Sequence, residues 1–163
     1  MRIQGLRLAA CTAVVALALP VTVHAQSHHA GAQPAAISSL LRDLGQVEQK
    51  LIALAEAIPE SAFAWRPAEG VRSISEVVMH IAADNYFLPT FAGHPAPAQT
   101  GIKSGDYPSV QAYESRQVSK AEALQSMRDS FAHLRGGMEM ADDAFLTSNV
   151  DVFGSMMTGL DLA

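Results

Sequence analysis

The sequence predicts an all-α protein, an up-down helical bundle whose fourth helix is largely missing. Three segments each carry apolar residues on one face of a helix, and in the first and third of them these residues follow at alternating steps of three and four. Two of these segments begin with Ser-x-x-Glu, the pattern of a helix capping box. A fourth apolar segment begins near Gly154 and reaches only to Ala163. Helices with such faces, joined in sequence, are typical of antiparallel bundles.

The first 25 residues have the pattern of a signal peptide. Arg2 and Arg7 precede an apolar run from Leu8 to Leu19, and Val23-His24-Ala25 fits a cleavage site. The run is shorter than the ~20 residues that a membrane-spanning helix needs. We therefore expect an exported, periplasmic or secreted protein that starts at Gln26 and has no membrane span after cleavage. Residues 26–35 predict a flexible lead-in, and residues 36–163 the bundle.

Composition excludes several classes of function. The chain has 11 Lys and Arg against 16 Asp and Glu and a formal net charge of −5. No stripe of basic residues is present, so nucleic-acid binding is disfavoured. The single cysteine, Cys11, lies in the predicted signal peptide, so the mature chain would have no thiolate ligand or nucleophile.

The first helix is predicted from about Ala36 to Ile58, where Pro59 stops it. Its expected buried seam consists of Leu40, Leu44, Val47, Leu51, Leu54 and Ile58. Residues 59–72 form a connector. In it we expect Trp65 to pack the connector onto the bundle, and Arg66 or Arg72 to bind a carboxylate.

The second helix is predicted to start at the capping box Ser73-x-x-Glu76 and to end near Pro89. The stretch from Thr90 to Val118 is rich in proline and glycine and predicts a long loop, with room for one helical turn at 110–113. A loop of this length inside a compact domain is either functional or disordered.

The third helix is predicted from Ser119-x-x-Glu122 onward, and Gly136-Gly137 is expected to interrupt it. Its apolar steps are Leu124, Met127, Phe131, Leu134, Met138 and Ala141. The methionines are expected to fill gaps in the core; they are Met127, Met138, Met140, Met156 and Met157.

His80 is the candidate metal ligand of the second helix. Asp84 follows four residues later, so both side chains share one face of the helix. Such a pair can hold a divalent metal ion weakly, or it can be a plain hydrogen bond or a pair that supports a ligand. His133 is expected to face solvent, and His94 to lie in a surface loop. Cleavage before Gln26 would also place His28 third in the chain, a position that favours Cu(II) or Ni(II) binding.

The segment from Phe63 to Asn85 resembles the second-helix signature of the DinB-like (YfiT-type) four-helix-bundle family. The resemblance lies in Trp65-Arg66-Pro67-Ala68-x-Gly70-x-Arg72-Ser73, followed by Glu76-x-x-x-His80-Ile81. It implies that His80 is one of three histidine ligands of a divalent metal, zinc or nickel. The other two would come from a His-x-x-x-His pair on a fourth helix, but this sequence has no histidine after His133.

Two functions follow as hypotheses. The first is an exported DinB-family protein that binds a divalent metal at His80, with Asp84 as a weaker candidate and the remaining ligands beyond Ala163. The resemblance implies a metal-dependent hydrolase or a thiol transferase, although we expect residues 1–163 alone not to hold a tight catalytic metal. The alternative is a non-catalytic helical module that binds a partner, or a second copy as a homodimer, through an exposed apolar surface. The sequence does not identify a substrate.

Overall fold

The computed structural model describes residues 33–163, which form six helices and one two-stranded hairpin. The elements are α1 (Ala35–Ala57), α2 (Ile74–Phe87), α3 (Tyr107–Glu114), α4 (Lys120–Glu139), α5 (Asp143–Thr147), β1 (Asn149–Val152), β2 (Ser155–Thr158) and α6 (Gly159–Leu162). The predicted all-α class and the predicted positions of the first three long helices are therefore confirmed. The predicted signal peptide and most of the lead-in lie outside the described residues.

Helices α1 and α4 run antiparallel and are joined along their length by polar contacts. At one end, the Lys120 ammonium donates to the carbonyl oxygen of Ile58 at 2.5 Å. At the other end, the Gln33 amide donates to the carbonyl oxygen of Met138 at 3.3 Å. Between them lies the ion pair of Arg135 and Glu48 at 2.6 Å. These contacts fix the register of α1 on α4.

The start of α2 is held by the predicted capping box. The Ser73 hydroxyl accepts from the Glu76 amide at 3.2 Å, and the Glu76 carboxylate accepts from the Ser73 amide at 2.8 Å. Arg66 also binds this carboxylate through two nitrogens, and donates to the Val71 carbonyl oxygen at 2.9 Å. The expected pairing of Arg66 with a carboxylate is confirmed, and it ties the connector to the helix start.

The core lies mainly between α2 and α4. Met79, Ala82 and Ala83 of α2 are fully buried against the face of α4 that carries Met127 and Phe131. The two alanines have almost no side chain, so the helices can approach closely. Methionine fills the space between them, as expected of Met127.

The stretch 90–118, predicted as a long loop with room for one helical turn, is more regular than expected. It contains two 3-10 turns, Leu88–Ala92 and Ala98–Thr100, and the helix α3. Val110 and Tyr113 are buried on α2, and they belong to the helical turn expected at 110–113. The three-residue spacing of these two side chains gives α3 one buried face.

The segment after Gly154 begins as a strand, not as a helix. β1 and β2 pair antiparallel around the two-residue turn Phe153-Gly154, and both turn residues have positive φ, 54° and 81°. A turn of this kind matches the twist of the strands, although Phe is an unusual residue for it. The Phe153 ring packs on Phe87 and Phe91, which offsets the strain. A helix begins only at Gly159.

The predicted seam of α1 is wrong at two positions, because Val47 is 47% exposed and Leu54 is 61% exposed. Trp65, expected to be an anchor, is 60% exposed. Leu54 and Trp65 are exposed because α1 packs on α4, and α2 packs on α4 and α3, while α1 and α2 leave an open channel between them. We call this channel of about 380 Å³ the apolar groove. It is lined by Leu51, Leu54, Ala55, Ile58, Trp65, Pro67, Val71, Arg72, Ile74, Val77, Val78, Ile81 and Met127.

Two further expectations for α4 and the methionines need correction. The helix continues through Gly136-Gly137. A Cβ at Gly137 would lie 3.2 Å from both His94 and Pro89, so the glycine lets the 88–94 segment pack onto α4. Met138 is buried as expected, but Met140 and Met156 are exposed. Within residues 33–163, every helix is too short or too polar to cross a bilayer.

Substituting the cap Ser73→Ala should lower the free energy of unfolding by about 1 kcal/mol, because an amide at the start of α2 loses its acceptor. Urea unfolding followed by circular dichroism measures the change. Ser75→Ala is the matched control, since Ser75 lies two residues on and its hydroxyl makes no such cap in the structure. Equal midpoints for the two variants would contradict the role assigned to the cap.

Candidate metal centre

His80, Asp84 and Glu114 form a cluster on one side of α2. The His80 Nδ1 atom lies 2.7 Å from Glu114 Oε1, and the His80 Nε2 atom lies 3.5 Å from Asp84 Oδ2. One potential ligand atom from each residue lies within 4.8 Å of the other two. His80 and Asp84 are half-buried, whereas the Glu114 side chain is only 12% exposed. Among residues 33–163, this is the one group of three His, Cys, Asp or Glu side chains whose potential ligand atoms lie this close together.

The packing of α3 on α2 brings Glu114 to this cluster. Tyr113 meets Tyr86 of α2 edge to face, with ring centroids 5.7 Å apart. Glu114 is the next residue, and it ends the helix beside His80. The sequence reasoning missed Glu114 because it treated 90–118 as a loop. The available signal was the helical turn at 110–113, which places Glu114 at the end of a short helix but does not say which helix that turn packs on.

Arg72 adds a positive charge to the cluster. Its Nη2 atom donates to Glu114 Oε2 at 3.1 Å, so Glu114 bridges Arg72 and His80. The expected pairing of Arg72 with a carboxylate is thus confirmed.

Asp84 lacks a comparably close partner. Burial raises the pKa of the Asp84 carboxyl, and the nearby Glu114 charge raises it further, while His80 and Arg72 act in the opposite direction. Desolvation thus disfavours the charged carboxylate of Asp84. A cation beside it would favour the charged form.

The distances decide which atoms can hold a metal ion. Bonds from zinc to nitrogen or oxygen are about 2.0–2.2 Å, so no ion fits between His80 Nδ1 and Glu114 Oε1. That contact is a hydrogen bond, which we assign as Nδ1–H donating to the carboxylate. Two ligands of a tetrahedral ion are roughly 3.4 Å apart at such bond lengths, close to the separation of His80 Nε2 and Asp84 Oδ2. The residues therefore fit a metal held by His80 and Asp84, with Glu114 orienting the imidazole.

His94 and His133 lie apart from this cluster. His133 was expected to face solvent, and this is wrong: it is half-buried, and its Nε2 atom has no hydrogen-bond partner among the described residues. Its ring stacks on His94 with centroids 4.3 Å apart and lies 5.4 Å from the ring of Tyr86. The reason is the 88–94 segment, which folds over Gly137 and brings His94 onto α4.

A polar cleft adjoins the cluster on the side of Arg72. It has a volume of about 310 Å³ and is lined by Arg66, Gly70, Val71, Arg72, Glu76, Gln111, Glu114 and Ser115. Arg66 is already bound to Glu76 through two nitrogens. Arg72 makes one hydrogen bond among the described residues and is 47% exposed. The cleft and the apolar groove meet at Val71 and Arg72.

A helical bundle with a histidine and two carboxylates between its second helix and a short following helix defines a candidate metal-binding protein. The chain belongs to the DinB superfamily, whose family model matches residues 43–163. This confirms the family that the Phe63–Asn85 signature indicated. No curated protein and no solved structure matched the chain significantly.

The stacked histidine pair generates a prediction about pH. Burial lowers the pKa of His133, and the nearby His94 charge lowers it further, so the ring should titrate below the ordinary value of about 6.5. As the pH falls below about 6.5, the unfolded chain takes up this proton before the folded chain does. His133 therefore lowers the free energy of unfolding in that pH range. NMR titration measures the pKa. In His94→Gln it should rise but stay below the ordinary value, because burial remains. A wild-type pKa at or above the ordinary value would contradict the contacts described.

Proposed function

We propose that this DinB-superfamily protein binds one divalent metal ion through His80 and Asp84, with Glu114 as the residue that positions His80. The observation that carries the proposal is the 2.7 Å hydrogen bond between His80 Nδ1 and Glu114. Histidines that bind metals in proteins commonly donate their second ring nitrogen to a carboxylate. Here that hydrogen bond leaves Nε2 facing Asp84.

The charges around the cluster support a cation. Two carboxylates lie beside one imidazole, and Arg72 donates its hydrogen bond to Glu114, not to Asp84. Burial disfavours the charged form of Asp84. A cation beside the carboxylate would offset this cost of desolvation. An imidazole with a carboxylate suits zinc or nickel.

Two protein ligands make a weak and open site. A catalytic zinc site normally has three protein ligands, so we expect the metal to exchange readily in this chain. When bound, a divalent metal with open positions supplies Lewis-acid chemistry and lowers the pKa of its water. Hydrolysis or thiol transfer, the activities that the family resemblance implies, are the reactions to test at this site.

Removal of the His80 imidazole should abolish metal binding, because it removes the only nitrogen ligand of the cluster. Isothermal titration of zinc and nickel into the full chain measures this, with His28→Ala and His29→Ala included so that the N-terminal histidines do not contribute. Against that background, His80→Ala should show no saturable site, and Glu114→Gln should weaken binding about 10–100-fold. Asp129→Asn removes the same charge from an exposed aspartate on another long helix, α4; it is the control and should bind as the parent does.

Equal affinity in the His80→Ala variant would refute the proposed ligand. Equal affinity in Glu114→Gln, with binding lost in His80→Ala, would refute only the positioning role. Circular dichroism of each variant establishes that the helices remain folded.

We also propose that the protein is exported, on the strength of the basic, apolar and small-residue pattern of residues 1–25. N-terminal sequencing of the protein from a host with a secretion pathway tests this. A mature chain that begins at Gln26 is expected. A chain that retains residues 1–25 in the cytoplasm would contradict export.

A second candidate function is the partner-binding module, and the apolar groove is the observation in its favour. Exposed apolar surface of this kind often marks an interface. A second copy could cover Leu54, Trp65 and Val77, which are the most exposed apolar side chains of the groove together with Val71. Its test is the oligomeric state, which the experiment below includes.

A further inference from the structure

Arg72 stands where three features of the molecule meet. It lines the apolar groove on one side and the polar cleft on the other, and it donates to Glu114 of the metal-binding cluster. In the groove, Arg72 is the one charged side chain of the lining. A ligand that lies along the groove and reaches its polar end therefore meets a cation.

The groove itself offers little to a polar ligand. Its other lining residues are apolar, from Leu54 and Trp65 at the exposed rim to Val78 and Met127 at the buried floor. The volume of about 380 Å³ is within the range of small-molecule pockets, about 300–1,000 Å³. An apolar chain fits these walls because its burial is favourable without hydrogen bonds.

The Arg72 guanidinium has capacity to bind an anion. It carries five N–H donors, and in the part of the chain that the structure describes it makes a single hydrogen bond, to Glu114. Guanidinium groups bind carboxylates with two parallel hydrogen bonds. Arg72 can thus donate to a second carboxylate while it keeps its hydrogen bond to Glu114.

The groove also lies directly beside the cluster on α2. Val77 lines the groove, and His80 follows it by three residues, so the two side chains are neighbours on the helix surface. Ile81 lines the groove and is adjacent to His80 in sequence. A molecule in the groove with its head group at Arg72 is thus close to the metal-binding side chains.

We propose that the ligand of this site is an amphipathic monocarboxylate, with its hydrocarbon chain in the apolar groove and its carboxylate on Arg72. This proposal rests on the proposed function, because it takes the monocarboxylate to be the substrate class of the metal centre. The groove supplies the apolar contact, and Arg72 supplies the charge that selects an acid over a neutral molecule of the same length.

The charges predict an effect of metal on this binding. Asp84 and Glu114 repel an incoming carboxylate, and Arg72 offsets only part of that repulsion. A divalent cation at His80 and Asp84 adds positive charge to the same region, so carboxylate binding should be stronger in the presence of metal. A neutral ligand in the groove should not respond to metal in this way.

A monocarboxylate fits the groove better than a second copy of the chain does. Arg72 is a single cation at one end of an apolar channel, which matches one anionic head on one apolar chain. A protein surface that covered the groove would bury the half-exposed Arg72 beside an apolar wall. Burying this charge is unfavourable unless the protein surface supplies a carboxylate to pair with it. The second copy is therefore treated as the competing outcome.

Trp65 provides a direct probe, because it is the only tryptophan of the chain and lines the groove while 60% exposed. Decanoate and 1-decanol, at concentrations below aggregation, are titrated into the full-length protein while Trp65 emission is recorded. The expected result is a saturable blue shift with decanoate, with an affinity about tenfold or more above that of decanol. Added zinc should strengthen the binding of decanoate only.

Two substitutions and one control assign the binding to the groove. Arg72→Gln should reduce decanoate affinity about tenfold and leave decanol unchanged, because only the charged contact is lost. Leu54→Glu should weaken both ligands, because it places a charge in the apolar wall. Arg42→Gln is the matched control for the loss of one positive charge. Arg42 lies on α1 but outside the groove lining, so this substitution should change neither affinity.

Several results would overturn the inference. Equal affinity for decanoate and decanol, or for decanoate in wild type and Arg72→Gln, removes the role of Arg72. Sedimentation showing a stable dimer that Leu54→Glu dissociates, with no saturable ligand response, assigns the groove to a second copy. Metal binding without any decanoate response refutes this inference and leaves the metal proposal intact. A decanoate response that depends on Arg72 in a protein that binds no metal refutes the metal proposal alone.

Discussion

The close packing of α2 on α4 is the contact on which the rest of the structure depends. Ala82 and Ala83 present almost no side chain to α4, so the two helices lie near each other around Met79 and Met127. The Asn85 amide donates to the Ser130 hydroxyl at 3.1 Å, a polar contact inside an otherwise apolar interface. This hydrogen bond fixes the register of the two helices, because sliding either one would separate the half-buried Asn85 amide from its acceptor on Ser130.

This packing also sets what the other faces of α2 can do. With about 100° between successive residues of a helix, a core face at Met79 and Ala83 places His80 and Asp84 at its edge and Val77 and Ile81 beyond them. The edge meets α3, which brings Glu114, and the far face lines the apolar groove. The candidate metal centre and the apolar groove are therefore neighbouring consequences of one helix orientation.

The sequence predicted the parts of the fold that depend on local signals. The capping boxes at Ser73 and Ser119 gave the starts of α2 and α4, because a cap depends on residues only three apart. The seam of α1 was wrong at Val47 and Leu54, because an apolar stripe does not say whether a partner helix covers it. At the candidate site, His80 and Asp84 were found from their spacing on one helix. Glu114 was not, because its distance from His80 depends on how α3 folds back.

Arg72 links the apolar groove to the metal centre electrostatically, because it lines the groove and shares Glu114 with His80. Glu114 cannot serve His80 and Arg72 independently, since one carboxylate accepts from both. An anion bound to Arg72 neutralises part of the guanidinium charge that Glu114 also faces, so the Glu114 carboxylate acts more fully on the imidazole that it orients. Conversely, a cation at His80 and Asp84 lowers the repulsion that an anion meets at Arg72. Binding at the two places is therefore coupled with the same sign in both directions, as linkage between sites requires. The shared carboxylate of Glu114 is the physical reason that a metal and an acidic ligand should favour each other here.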